Sequence, residues 1–116
     1  SSPDISDEIG EKYKNAPYRA PMIIILVNSF KEHPKVPAIE QKLSTATAAQ
    51  NIMLALNAMK YSCIWRTGKL AFNKSIQKSI GLNENQEIIG FIYVGTETGK
   101  KKQVPTLDID EFVAYL

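Results

Sequence analysis

The stretch from Ala38 to Gly68 constrains this chain most: a long run of small and apolar residues to about Met59, then at once Tyr61-Ser62-Cys63-Ile64-Trp65-Arg66-Thr67-Gly68. Ile39, Leu43, Ala46, Ala49/Gln50, Met53 and Leu56 recur at three- and four-residue steps, which draws one apolar stripe along a helix of period 3.6. A second stripe, Ala48, Ile52, Ala55 and Met59, joins it halfway, so the C-terminal half is apolar around most of its circumference. The expectation is a helix buried on several sides, with the rest of the chain packed around it.

With 116 residues and 44% of them hydrophobic, the chain is long enough for one core and too short for two ordinary domains, so residues 1–116 read as a single domain. The net charge of +2 is too mild to mark a nucleic-acid footprint, which needs basic residues gathered on one face, and no nucleic-acid partner is expected. Cys63 is the one cysteine, so it has no internal disulfide partner, and no thiol or histidine cluster offers a metal site. A reducing, cytoplasmic location fits that usage. The polar, acidic start Ser-Ser-Pro-Asp-Ile-Ser-Asp-Glu lacks the basic end and apolar core of a secretory signal, and no segment approaches a membrane span.

Along the chain, Ser6 to about Asn15 reads as a short charged helix ended by Ala16-Pro17, and Met22 to Val27 as a strand. The unbroken hydrophobicity of that strand implies cover on both faces. Asn28 to Val36 is a polar loop holding the lone histidine, His33, and Pro37 is placed as the first residue of the long helix. Tyr61 to Trp65 is a short β-prone run closed by Thr67-Gly68. Ala71 to Ile80 shows Phe72, Ile76 and Ile80 at helical spacing, with Asn73 as a cap and Gly81 just past the end. Glu87 to Gly95 is a second buried strand, in which Gly90 signals close approach by another backbone. From Lys100 to Leu116 a basic, then proline-containing, then acidic tail ends in Phe112-Val113-Ala114-Tyr115-Leu116, the composition of a tail that docks on something. Strands alternating with helices define an α+β or α/β-like class, with a mixed sheet flanked by helices.

Few residues are candidates for chemistry. His33 has no cysteine or second histidine near it in sequence, and reads as a solvated loop residue. Cys63 lies in an apolar strand, where burial quiets a thiol. Lys100-Lys101-Lys102 reads as a solvated turn that could alternatively meet a phosphate. Trp65-Arg66-Thr67-Gly68 differs from these, because a large aromatic and a cation stand where a strand ends in a glycine turn, the position at which sheets present ligand sites. By residue type alone, ligand contact and plain packing stand about even there.

Five pieces in register resemble one family: Ala16-Pro17-Tyr18-Arg19-Ala20-Pro21 before a strand, Val36-Pro37-Ala38-Ile39-Glu40-Gln41, the helix Ala48-Ala49-Gln50-Asn51-Ile52-Met53-Leu54, Ile64-Trp65-Arg66-Thr67-Gly68, and Ile89-Gly90-Phe91-Ile92-Tyr93-Val94-Gly95-Thr96. Together they are similar to the C-terminal part of FMN-dependent nitroreductases, and most of all to the small NAD(P)H nitroreductase branch that carries an Ile-Trp-Arg-Ser/Thr-Gly motif. The likeness runs from about Asn15 to Leu116.

The resemblance implies an FMN-dependent NAD(P)H oxidoreductase, in which hydride passes from NAD(P)H through FMN to a nitroaromatic, quinone or similar small-molecule acceptor. It places Trp65, Arg66, Thr67 and Gly68 against the flavin: Trp65 as apolar surface, the Thr67 and Gly68 amides as donors near N5, and Arg66 as positive charge. No catalytic side chain is implied, because the cofactor carries the chemistry. The nicotinamide partner is implied near Ala55 to Lys60, where Asn57 and Met59-Lys60 depart from the small residues and glycine of similar proteins. Family members also open with a helix bearing an Arg-Arg-Ser-type phosphate motif, which this chain lacks, so a fragment is expected. The alternative reading is a non-catalytic dimerisation or scaffold module without flavin. The apolar long helix, together with the intertwined dimers of the family, implies a homodimer with C-terminal arms that cross between subunits.

Overall fold

The computed structural model describes residues 20–99 and 101–116, so the expected helix over Ser6–Asn15 lies outside the described residues. Its elements run β1 (Met22–Ser29), α1 (Ala38–Ala58), β2 (Tyr61–Arg66), a 3₁₀ turn (Lys69–Phe72), α2 (Lys74–Ser79), β3 (Gln86–Thr96) and a second 3₁₀ turn (Ile109–Glu111). The strands form one sheet in the order β1-β3-β2, antiparallel at both pairings. The class is α+β, and parallel pairing, which a mixed sheet requires, does not occur among the described strands.

The sheet is centred on β3, the longest strand. Ile24, Ile92 and Trp65 stand opposite one another across the three strands, and so do Ile23, Tyr93 and Ile64. Directly paired residues share a face, so the first row belongs to the helix side and the second to the other side. Between Leu26↔Gly90 and Val27↔Ile88 the register slips by one, which leaves Ile89 of β3 as the extra residue of a bulge.

α1 lies across the helix side. Leu26, Ala49, Ile92 and Val94 are buried together, with Ile24, Ile52, Met53, Leu56, Cys63, Trp65 and Ile89 packed against them. This stripe keeps Ala49, Met53 and Leu56 of the expected one, but Ile39 and Leu43 near the helix start are exposed, as are Leu54 and Met59. Within the described chain the helix is therefore covered on one side and not on several. A three-stranded sheet underlies only one stripe of a helix, and no other described element reaches the remaining sides.

The ends of α1 follow from local chemistry. Pro37 sits one position earlier than expected, as the N-cap in extended backbone, and its carbonyl accepts from the Glu40 amide at 3.1 Å. Gln41 ties the preceding loop down: its Nε2 donates to the Lys31 carbonyl at 2.8 Å, and its Oε1 accepts from the Lys31 amide at 3.0 Å. At the far end, Lys60 turns the chain into β2 with φ 69, the one non-glycine residue with positive φ among those described.

A polar cluster closes the other end of the helix–sheet interface. Buried Asn28 donates from Nδ2 to Glu87 Oε1 at 3.5 Å and accepts from Thr45 Oγ1 at 3.2 Å, while Lys42 Nζ lies 3.3 Å from Glu87 Oε1. Its hydrogen bonds explain how an asparagine is tolerated in the core.

The single helix expected over Ala71–Ile80 is divided. Asn73 accepts from the Ile76 amide at 3.1 Å and so starts a new helix, which leaves Phe72 in the preceding 3₁₀ turn and exposed. Gly81 follows α2 with φ 84, as its sequence position suggested. Beyond Gly99, Val104, Leu107, Ile109, Phe112, Tyr115 and Leu116 are all exposed, the tyrosine at 96%. The tail has the apolar residues of a docking segment and no dock among the described residues.

Candidate functional site

β2 runs out at Arg66, and the next two residues turn the chain into the 3₁₀ segment. Gly68 adopts φ 65, ψ 178, a backbone region that is essentially confined to glycine. Among the described residues the amides of Thr67 and Gly68 donate to no hydrogen bond.

Strand alternation separates the two large side chains that precede the turn. Trp65 points to the helix side, half-buried beside Ile92 and the core. Arg66 points to the opposite side, opposite Phe91, exposed and without an ion pair among the described residues. The four candidate residues thus meet at one place, the end of β2, with an aromatic side chain on one side, a cation on the other and the Thr67 and Gly68 amides between them.

On the Arg66 side an open groove of about 430 Å³ runs along the sheet, lined by Pro21, Ser62, Ile64, Arg66, Tyr93 and Thr96 among others. Ser62, Tyr93 and Thr96 carry its hydroxyls, and Ser62 and Tyr93 share the face of Arg66. The sequence pattern did not single them out, because their place beside Arg66 comes from the β2–β3 pairing, which sets Tyr93 against Ile64 and Gly95 against Ser62.

The other candidates play local parts. His33 is exposed, and its Nδ1 accepts from the Lys35 amide at 3.1 Å. Cys63 packs against the core, with Sγ 3.9 Å from the Met53 carbonyl. Lys101 pairs with Glu97 at 3.7 Å on the surface, and Lys100 lies outside the described residues. No described helix is long and apolar enough to cross a membrane.

Residues 3–96 match the nitroreductase family, and the chain belongs to it. It is 36% identical over 110 residues to the Escherichia coli protein named "Putative NAD(P)H nitroreductase YdjA", an alignment that covers 94% of this chain and 60% of that one. In fold it is similar to a nitroreductase-like family protein from Bacillus cereus, with a TM-score of 0.74 and 21% identity over 97% of this chain and 62% of that one. It is also similar to the FMN and NADPH-dependent nitroreductase NfnB of Sphigopyxis sp. strain HMH, with a TM-score of 0.69 and 16% identity over 97% of this chain and 52% of that one. The chain thus spans about 60% of the length of its curated relative.

Proposed function

We propose that this chain holds FMN at the end of β2 and works as part of an NAD(P)H-dependent oxidoreductase acting on small electron acceptors such as nitroaromatics or quinones. The observation that supports this most is the turn itself: two backbone amides with no partner among the described residues, one of them on a glycine with φ 65, flanked by Trp65 and Arg66. This donor set suits a flat, apolar ring whose edge gains negative charge on reduction. FMN, when bound, would supply the hydride chemistry between NAD(P)H and the acceptor.

The chain's own residues bind and orient. Trp65 offers its indole as a wall, the Thr67 and Gly68 amides act as donors fixed in place by the turn, and Arg66 offers positive charge to an anionic group. Donors already aimed in the folded chain lose nothing to reorganisation when charge develops. No side-chain acid or base is assigned.

The reading extends to a homodimer. Ile39, Leu43 and Leu54 on α1, Met59 just past its end, and the apolar tail residues Phe112, Val113 and Tyr115 are exposed. Apolar patches of that kind mark interfaces, and a second copy of the chain is the proposed cover. A cytoplasmic location belongs to the same proposal.

The test is oxidation of NADH or NADPH by the chain reconstituted with FMN, in the presence of a quinone or nitroaromatic acceptor. Flavin-dependent turnover that falls in Arg66→Ala and Gly68→Val is expected. A chain that keeps no flavin through gel filtration and oxidises neither nucleotide would overturn the reading in favour of a non-catalytic scaffold module.

A further inference from the structure

Gly90 lies in the middle of β3, where glycine ordinarily weakens a strand. Its cause in this molecule is a side chain. A Cβ built on Gly90 would run into Trp65 Nε1, with Trp65 Cδ1 and Cε2 each only 2.8 Å away. Trp65 is paired with Ile92, two residues along β3, so its indole leans diagonally across the strand and its Nε1 edge fills the place where a Gly90 side chain would start. By contrast, a Cβ at Gly95 on the same strand would meet only Pro21 Cδ, at an ordinary 3.6 Å.

The bulge adds a second constraint. Gly90 directly follows Ile89, the extra residue at the register slip, and it is paired with buried Leu26 on β1. Pairing with Leu26 on β1 holds β3 at this point, so the strand has little freedom to retreat from a new methyl group, and the indole would have to move. Trp65 is two residues from Thr67 and three from Gly68, so a displaced indole also displaces the turn.

We propose that Gly90 is a positioning residue: its missing side chain makes room on β3 for the Nε1 edge of the Trp65 indole and thereby holds the Trp65–Gly68 turn in its flavin-facing form. This rests on the flavin reading above, and it predicts that a residue remote from the turn in sequence, touching no ligand, controls affinity for FMN.

The test uses the whole chain and FMN. Trp65 is the one tryptophan, so intrinsic emission reports its surroundings directly. Gly90→Ala is expected to shift that emission to the red, to make it more accessible to acrylamide, and to weaken FMN binding by about tenfold or more, as overpacking of a fixed site does. Ile88→Ala, which opens a cavity at a buried position on the same strand, serves as a stability control and is expected to leave FMN affinity within about twofold. If Gly90→Ala does not fold, Trp65→Val/Gly90→Ala is expected to fold with a urea midpoint close to that of Trp65→Val, because the shorter side chain leaves room for the methyl. Unchanged Trp65 emission in a folded Gly90→Ala, or a double variant as damaged as the single one, overturns the seating. A loss of FMN affinity no greater than that of Ile88→Ala overturns the positioning role. Failure of the unmodified chain to bind FMN overturns the flavin reading itself, and emission and the double variant then still decide whether Gly90 seats Trp65.

Discussion

The two faces of the β1-β3-β2 sheet have nearly the same hydrophobicity and opposite fates. On one, Leu26, Ile92 and Val94 are buried under Ala49 of α1, and Ile92 is 0% exposed. On the other, Ile25 is 41% and Ile64 47% exposed, beside a groove that holds Arg66 and Tyr93. The difference teaches that an apolar strand records the need for cover without recording who provides it. For the inner face the provider is in the chain. For the free sides of α1 and the apolar tail, the proposed provider is a second copy.

The comparison breaks first at its strongest point. Ile92→Ala removes the best-buried side chain of the core and is expected to cost about 2–5 kcal/mol in urea unfolding, whereas Ile64→Ala, on the outer face of the same sheet, is expected to cost less than about 1 kcal/mol. Equal losses would erase the distinction between the faces. β2 carries residues of both faces and is bounded by two residues with left-handed backbone, which gives a sharper probe. Gly68→Ala forces a methyl group into a region of φ and ψ reserved for glycine and is expected to cost about 1–3 kcal/mol by thermal unfolding, with FMN affinity falling in parallel.

At the other end of β2 the sign reverses. Lys60 already occupies a left-handed conformation, so Lys60→Gly is expected to raise the urea midpoint, by up to about 1 kcal/mol of stability. The smallest effect on folding is expected in the tail: Phe112→Ser with Tyr115→Ser should leave unfolding within about 0.5 kcal/mol, yet shift sedimentation at micromolar concentration from dimer toward monomer. Unchanged sedimentation would remove the tail from the interface.

Much of this was legible in the sequence for physical reasons. The helix from Ala38 to about Met59 ends at Ala58 in the structure, the Asn73 cap and the Gly81 stop stand where their chemistry put them, and the three strands fall on the three β-prone runs. The misses share one cause, which is that periodicity within a segment carries no information about partners in space. Ile39 and Leu43 continue the apolar stripe but have no sheet beneath them, and Phe72 fits a helical spacing that the Asn73 cap interrupts. Gly90 was marked by its residue type as a point of close approach, but the approaching group is the Trp65 indole and not a second backbone. At the turn, the residue types Trp65, Arg66, Thr67 and Gly68 were readable, while their division between two faces, and the company of Tyr93 and Ser62, required the strand register.

The central claim is that the end of β2 holds a flavin, and Trp65 reports on that place alone. The most direct measurement is therefore Trp65 emission during titration of the chain with FMN. The account predicts saturable quenching with one FMN per chain, accompanied by quenching of the flavin's own fluorescence and lost in Gly68→Val. Emission that stays constant, or declines only in proportion to the light FMN absorbs, would contradict it.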